Sequence, residues 1–102
     1  MTLEIIKMYK IRDRSMEPAL HEGDFVLASS IPLLISGPKK SDIVIAIDPE
    51  KKMKIIKRVS SVENGKVFLT GDNSRLSTDS RNFGYVDASC VISKVVIEIK
   101  NK

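Results

Sequence analysis

The chain has 102 residues, a formal net charge of +4, 42% hydrophobic and 29% charged residues, one cysteine and one histidine. Its length predicts one domain with a modest core, and its composition is that of a soluble globular protein. Cys90 alone excludes an intrachain disulfide, and with His21 as the only histidine an ordinary zinc site cannot be assembled, so we expect no metal and no cofactor.

The distribution of charge and aromatic residues argues against a nucleic-acid partner. The basic residues are scattered, and three Phe, two Tyr and no Trp give no obvious base-stacking platform. The first ten residues alternate charged and apolar side chains, unlike a signal sequence. The longest weakly polar run, residues 25–35, is about half the length of a membrane span. We therefore expect a cytoplasmic or peripherally membrane-associated protein with no transmembrane helix.

Apolar periodicity and turn signals predict a mostly β fold. Strands are predicted over residues 3–11, 25–28, 43–47, 53–62, 66–69, 83–86 and 91–99. The β-branched run Ile43–Ile47 predicts a strand covered on both faces, and Asn64-Gly65 is a strong hairpin signal. The expected architecture is a compact set of curled, hairpin-linked β-sheets.

Three segments are predicted to lie outside the strands. Residues 16–20 can form one short helical turn, although Pro18 prevents much extension on its N-terminal side. Residues 29–40 contain Pro32 and are predicted to form an irregular, partly apolar loop, whose contact with substrate or lipid the sequence leaves open. Residues 71–82 are predicted to form a polar loop.

Ser15 stands at the start of the helical turn, and its hydroxyl has two interpretations. Serine is a favoured N-cap, so the side chain can simply cap the turn. As a nucleophile it would need a base, since serine is weak at its free pKa. His21 lies six residues further on, where a solvated surface side chain is expected, and the known alternative to histidine is a lysine.

Lys57 is the candidate base. In a strand over residues 53–61 it shares a face with Met53, Ile55 and Val59, the more apolar of the two faces. Burial there would lower its pKa toward the range that a general base needs. The alternative is a solvated lysine whose ammonium extends out of a half-buried strand.

The polar loop carries an unusual density of polar side chains for so small a chain. Its simplest interpretation is a surface loop with a Gly-Asp turn. A network that positions a catalytic base would use the same residue types, with Asp79 and Arg81 paired and a hydroxyl near the lysine amine.

Taken together, these stretches resemble the sequence boxes of type I signal peptidases. Ser15-Met16-Glu17-Pro18-Ala19-Leu20 with Gly23-Asp24 is similar to the serine box, and Lys57-Arg58-Val59 is similar to the lysine box. The stretch Gly71-Asp72-Asn73-Ser74-Arg75-Leu76-Ser77-Thr78-Asp79-Ser80-Arg81-Asn82-Phe83-Gly84-Tyr85-Val86 resembles the last box almost position by position. The three occur in the family's order, which favours the functional interpretations over the simpler ones.

The resemblance implies a serine endopeptidase with a Ser/Lys dyad. Ser15 would be the nucleophile, and Lys57 the general base and then the general acid. The N–H of Ser15, beside Met16, would supply one oxyanion donor. The family often has a serine two positions before the nucleophile, but this chain has Asp13 there, and an ionised carboxylate cannot donate a hydrogen bond. The source of a second oxyanion donor is therefore open.

The resemblance also implies a supporting network in the last box. Ser77 would orient the Lys57 amine, Asp79 and Arg81 would form an ion pair, and Asp72 would hold the loop. Fourteen residues precede Ser15, and only residues 58–70 separate the last two boxes. This spacing predicts a single catalytic domain over residues 1–102, with no membrane anchor and no inserted cap domain.

Within this family, the chain resembles the small soluble maturation proteases of nickel-type superoxide dismutase. The implied partner is a precursor protein with small residues before the cleavage site, from which an N-terminal signal peptide or propeptide is removed. A more general role like that of signal peptidases stays open. The competing classes are a self-cleaving repressor-like Ser/Lys peptidase and a non-catalytic small β-barrel binding module.

Overall fold

A computed structural model describes residues 4–101 of the chain. The strands are β1 (Lys7–Lys10), β2 (Phe25–Ser29), β3 (Ile43–Ile47), β4 (Lys54–Glu63), β5 (Lys66–Thr70), β6 (Val86–Asp87) and β7 (Val91–Ile99). Two short helices, α1 (Ile31–Ser36) and α2 (Ser80–Phe83), lie between them, and Ser74–Leu76 and Ala88–Cys90 form single 3₁₀ turns. The mostly β class predicted from the sequence is confirmed.

The seven strands form one curled antiparallel sheet rather than several separate sheets. Their order is β1-β2-β7-β3-β4-β5-β6, so the last strand of the chain pairs between the second and the third. Strands β7, β3 and β4 therefore form the middle of the sheet, with β2 beside β7 on one side and β5 beside β4 on the other.

Strand β3 is buried on both faces, as its β-branched sequence predicts. Val44 and Ala46 belong to one apolar cluster, whereas Ile43 and Ile45 point into two others on the opposite face. The neighbouring strand β4 places Lys57 directly opposite Val44. The face of β4 that carries Lys57 is therefore packed against the core.

The predicted hairpin between β4 and β5 is present. Asn64 and Gly65 both have positive φ angles, 49° and 77°, which is the conformation that a two-residue type I′ turn requires. Asn and Gly tolerate this left-handed region, so the dipeptide closes the hairpin at this point of the chain.

The prediction of an irregular loop over residues 29–40 is wrong, because α1 occupies its first half. Pro32 lies in the first helical turn, where its missing N–H costs no hydrogen bond, and Gly37 ends the helix with a φ of 68°. The same two residues that suggested a loop are thus a start signal and a stop signal of a short helix.

The polar loop and the strand predicted after it also differ from the structure. Asp79 caps α2, and its side chain and that of Asn82 form a reciprocal capping box. Phe83 therefore ends a helix, and the strand in this region is only β6, Val86–Asp87. The first predicted strand begins at residue 3, which lies outside the described residues, and β1 itself covers only Lys7–Lys10.

The turn that follows Ser15 is held from two sides. It closes through one hydrogen bond, from the N–H of Leu20 to the carbonyl of Met16 at 3.0 Å. The buried Asp24 carboxylate then accepts hydrogen bonds from the N–H groups of His21 and Asn101 at 2.9 Å each. The segment after β7 is thereby attached to the turn after Ser15.

Candidate active site

Ser15 is buried at the start of an anchored turn. Only 2% of its surface is exposed, and the Met16 and Leu20 side chains that follow it are fully buried in an apolar cluster with Ile11. These side chains fix the turn to the core, so the position of Ser15 is set by packing. His21 is exposed, which agrees with its interpretation as a solvated surface residue.

Both polar hydrogens of Ser15 point at one carboxylate. The Asp13 Oδ1 atom accepts hydrogen bonds from the Ser15 N–H at 3.0 Å and from the Ser15 hydroxyl at 2.9 Å. The hydroxyl proton is therefore directed to Asp13 and not to a lysine. The carbonyl of Ser15 accepts a hydrogen bond from the N–H of Asn73 at 2.8 Å.

Lys57 begins a chain of hydrogen bonds that ends at the ion pair of the buried Asp79 with the partly exposed Arg81. Its Nζ donates to Ser77 Oγ at 3.0 Å, and Ser77 Oγ donates to Asp79 Oδ2 at 2.5 Å. Asp79 is fully buried and also accepts from Nε of Arg81 at 3.0 Å, from its second guanidinium nitrogen at 2.6 Å and from the N–H of Gly71 at 2.8 Å. The sequence-predicted partners Ser77, Asp79 and Arg81 thus lie in one connected network with Lys57.

The surroundings of Lys57 and Asp79 lower the pKa values of both groups, for different physical reasons. Burial lowers the pKa of Lys57, whose surface is only 4% exposed, and this effect exceeds the opposing attraction of Asp13 and Asp79. Burial by itself would raise the pKa of Asp79, but hydrogen bonds from Arg81, Ser77 and backbone N–H groups hold it well below its ordinary value. Near neutral pH the network therefore contains a firmly ionised Asp79 and an amine that loses its proton more readily than a free lysine.

Asp72 lies outside this network and binds Arg58 of β4. Its carboxylate receives two hydrogen bonds from Arg58, Nε to Oδ1 at 2.9 Å and Nη2 to Oδ2 at 2.7 Å. A third nitrogen of Arg58 donates to the carbonyl of Ser41 at 2.9 Å. The residue after Lys57 therefore ties the start of the loop to β4, which agrees with the predicted holding role of Asp72.

Two cavities meet at Asp13. One, of about 200 Å³, is lined by Asp13, Ser15, Asp48, Lys51, Met53, Ile55, Lys57, Leu76 and Thr78. The other, of about 300 Å³, is a groove lined by Tyr9 to Asp13 on one side and Met53 to Lys57 on the other. The structure thus places Ser15 and Lys57 on the wall of one cavity, and this cavity shares Asp13, Met53, Ile55 and Lys57 with the other. We call the larger one the groove and the smaller one the reaction cavity.

Two residues of the site have roles that the sequence did not reveal. Asn73 holds the backbone before and at Ser15, since its side-chain amide also donates to the Arg14 carbonyl at 3.2 Å. Gly71 lies between Ser15 and Ser77, where the space is too narrow for a Cβ atom. The Gly-Asp-Asn run marks a turn, but nothing in a single sequence shows that this turn contacts a segment almost sixty residues away.

We expect Gly71→Ala to disrupt the site. A Cβ at this position would lie 2.6 Å from the carbonyl oxygen of Ser15 and closer still to Ser77 Oγ. Such contacts must push the loop away from Ser15, so thermal stability and any catalytic activity should both fall. Thermal unfolding of Gly71→Ala beside Gly65→Ala tests this, because a Cβ at Gly65 meets no atom within 4 Å and adds only the strain of its positive φ. Equal losses in the two variants would contradict the packing argument.

Comparison with known proteins gives a consistent set of relatives. A family model described as signal peptidase, peptidase S26, matches residues 1–62 and 60–99. The chain is 32% identical to mitochondrial inner membrane protease subunit 1 of Mus musculus and 31% identical to that of Homo sapiens, in each case over 83% of this chain and 64% of the relative. It is 34% identical to mitochondrial ATP-independent inner membrane protease subunit 1b of Arabidopsis thaliana, over 80% of this chain and 63% of the relative. The chain thus spans less than two thirds of the length of these relatives.

Proposed function

Because the chain belongs to the signal peptidase family, peptidase S26, we propose that it is a serine endopeptidase that removes an N-terminal signal peptide or propeptide from a precursor protein. Ser15 is the nucleophile and Lys57 the general base of this proposal. The observation that carries it is the reaction cavity, whose wall holds a serine hydroxyl and a buried lysine amine together.

The proposed chemistry begins with proton transfer from Ser15 to the neutral amine of Lys57. Ser15 Oγ then attacks the scissile carbonyl carbon, and the carbonyl oxygen takes up the negative charge. The Lys57 ammonium returns the proton to the leaving amine, which gives an acyl-enzyme and a free N-terminus. Water, deprotonated by the same amine, hydrolyses the acyl-enzyme and releases the peptide.

Ser77 and Asp79 position the base in this proposal. The Ser77 oxygen accepts a hydrogen bond from the Lys57 amine, and the Ser77 hydroxyl donates one to Asp79, so the ionised carboxylate of Asp79 sets the orientation of the hydroxyl. Asp79 in turn keeps its charge because Arg81 and the N–H of Gly71 bind it. A lysine held at a defined angle reaches the nucleophile without the entropy cost of ordering a free side chain.

The groove supports an extended peptide as the substrate. It is lined by the segment before Ser15 and by the start of β4, including Asp13 and Lys57. The adjoining reaction cavity, of about 200 Å³, is lined in part by Leu76, Met53 and Ile55. A small side chain next to the scissile bond is expected from the resemblance to signal peptidases.

The precursor of a nickel-type superoxide dismutase is the proposed natural substrate, on the basis of the Arg14-Ser15-Met16-Glu17-Pro18 stretch. The test incubates the purified protein with that precursor and with a peptide carrying a signal-peptidase site, and determines the new N-terminus by mass spectrometry. Cleavage of the peptide alone overturns the dismutase assignment and keeps the peptidase. Failure to cut either substrate, with the Ser15→Ala protein as the blank, overturns the proposed function.

The proposed base predicts a pH profile. Because burial lowers the pKa of Lys57, the neutral amine should accumulate below the pH at which a free lysine, with a pKa of about 10.4, loses its proton. We expect kcat/KM for a precursor-derived peptide to rise with pH and to level off before that value. A rise that begins only at the pKa of free lysine would contradict a desolvated base.

A peripheral lipid contact through α1 is the second part of the proposal. None of the helices in residues 4–101 is long and apolar enough to cross a bilayer. Leu34 and Ile35 are nevertheless 61% and 81% exposed on α1, which lines neither the groove nor the reaction cavity, and Lys39 and Lys40 follow it. An exposed apolar helix face beside paired lysines suits an anionic membrane surface.

Vesicle sedimentation tests this contact. The protein should bind vesicles that contain an anionic phospholipid more strongly than purely zwitterionic ones, and Ile35→Glu should reduce that binding. Ile97→Glu is the matched control, since Ile97 is an exposed apolar residue on β7. Equal binding by both variants would contradict a contact centred on α1.

A further inference from the structure

We propose that Asp13 is a latch that holds Ser15 in a closed resting state and makes cleavage depend on a substrate that fills the groove. This inference rests on the proposed function of Ser15 and Lys57. It assigns Asp13 a role in specificity, because a short substrate that does not occupy the groove meets a closed site.

The latch consists of two hydrogen bonds to one oxygen atom. Asp13 Oδ1 accepts both from the Ser15 N–H, at 3.0 Å, and from the Ser15 hydroxyl, at 2.9 Å. The first of these donors is the one that an oxyanion would require, and the second carries the proton that Lys57 must remove. In the resting structure, one carboxylate therefore accepts hydrogen bonds from both groups of Ser15 on which acyl transfer depends.

Electrostatics requires that the carboxylate leave before the reaction. An ionised carboxylate only accepts hydrogen bonds, so it cannot stabilise an oxyanion, and at hydrogen-bond distance from Ser15 it would repel one strongly. Ser15 is almost completely buried whereas Asp13 is exposed, so water screens this repulsion only in part. Acylation in the closed state is for this reason slow.

The position of Asp13 links its release to substrate binding. It lines both the groove and the reaction cavity, and its carboxylate is hydrogen-bonded to Ser15. A peptide that occupies both cavities with its scissile carbonyl at Ser15 therefore lies against Asp13. Binding energy from the remote part of the peptide then offsets the cost of breaking the two hydrogen bonds, as in other induced-fit enzymes.

Lys57 gives the released carboxylate a favourable destination. Burial lowers the pKa of Lys57, and the charge of Asp13 is the largest effect that opposes this shift, which means that the two groups already interact. Once Lys57 has taken the proton of Ser15, its ammonium is a cation in a buried position. Asp13 moving away from Ser15 and toward Lys57 would neutralise that cation at the step where it forms.

The experiment compares two substrates with three variants. The substrates are an extended precursor peptide that spans the groove and a short ester that reaches only Ser15. Asp13→Ala removes the latch, Asp13→Ser replaces it by a hydroxyl that can donate, and Asp87→Ala removes an exposed carboxylate on β6 that caps the turn at Ser89. Thermal unfolding of each variant shows that it is folded.

We expect both Asp13 variants to raise kcat/KM for the short ester by about tenfold or more, since a single oxyanion donor commonly contributes on the order of 10²–10³ in rate. The value of kcat/KM for the extended peptide should rise much less, so the ratio of kcat/KM for the peptide to that for the ester should fall. Labelling of Ser15 by a small sulfonyl fluoride, followed by intact mass, should also become faster. Asp87→Ala should match the wild type in all three measurements.

Two sets of results would overturn the latch. If the Asp13 variants lower kcat/KM for both substrates, Asp13 assists the reaction instead of restraining it. If the ratio of kcat/KM for the two substrates is unchanged and the rate of Ser15 labelling is unchanged, Asp13 has no part in specificity. Both outcomes leave the proposed function intact as long as the wild type cleaves the peptide and Ser15→Ala does not. A wild type that neither cleaves nor reacts with the sulfonyl fluoride removes the proposed function and the latch together.

Discussion

Replacing Ser15 by alanine should abolish cleavage of a precursor-derived peptide. In serine peptidases, loss of the nucleophile lowers kcat by about 10⁶-fold, and what remains comes from binding and oxyanion stabilisation. Lys57→Met should have an effect of similar size, because the hydroxyl then has no base. The double variant should be no slower than either single variant, since nucleophile and base act as one unit.

The two variants should retain the fold, which makes the activity result decisive. Ser15→Ala leaves the apolar anchors Met16 and Leu20 in place. Lys57→Met should be at least as stable as the wild type. The lowered pKa of Lys57 means that its charged form costs folding free energy, a cost that fades as pH rises from the folded pKa toward the unfolded one.

Thermal unfolding and peptide cleavage, measured on the same preparations, provide the check on the dyad. A Lys57→Met protein that cleaves at the wild-type rate would exclude Lys57 as the base. An inactive Lys57→Met protein that melts far below the wild type would show only that the lysine is structural. Retention of stability with loss of activity is the result that the dyad predicts.

The second large effect is expected from Asp79→Ala. Asp79 is fully buried and receives hydrogen bonds from Ser77, Gly71 and Arg81. Its removal leaves the N–H of Gly71 and the hydroxyl of Ser77 without this acceptor and removes the cap of α2, whereas Arg81 is partly exposed and still donates to the Gly71 carbonyl. Together these losses cost about 3 kcal/mol or more, which corresponds to a fall in Tm of more than about 10 °C for a domain of this size.

Acid should erase the difference between Asp79→Ala and the wild type. The pKa of Asp79 in the folded protein lies well below that of a free carboxyl, so its contribution is fully present above the unfolded pKa, about 3.9. It is lost as pH falls from there toward the folded pKa. Unfolding by denaturant at pH 7 and at successively lower pH measures this. Asp87→Ala removes an exposed carboxylate that caps a 3₁₀ turn and should lose much less stability than Asp79→Ala at pH 7, and an equal loss would refute the network's role.

The strands were predictable because their signals are local. The Ile43–Ile47 run and the apolar stretch from Val91 to Ile99 match β3 and β7 residue for residue. The Asn64-Gly65 turn follows from the φ angles that these two residues tolerate. The period of two in β4 placed Lys57 on the more apolar face but left a solvated lysine open, and the structure buries Lys57 on the same face as Val59.

The helices were missed because their signals are ambiguous at short length. Pro32 and Gly37 break a long helix but bound a short one, and a helix of six residues has too little periodicity to outweigh them. Asp79 was assigned to a network around Lys57, and the same carboxylate also caps α2. A sequence pattern that predicts either role of Asp79 does not show that the residue has both.

The sequence by itself determined the class of fold, the positions of most strands and the set of residues from which the site is built. Only the tertiary structure decided how these residues meet. The order of strands in the sheet places Asn73 against the backbone of Ser15 and Ser77 against Lys57. The tertiary structure also shows that the Ser15 hydroxyl donates to Asp13. Hydrogen-bond direction depends on distances of a few tenths of an ångström between side chains, and packing sets those distances, whereas local propensity sets only the path of the backbone.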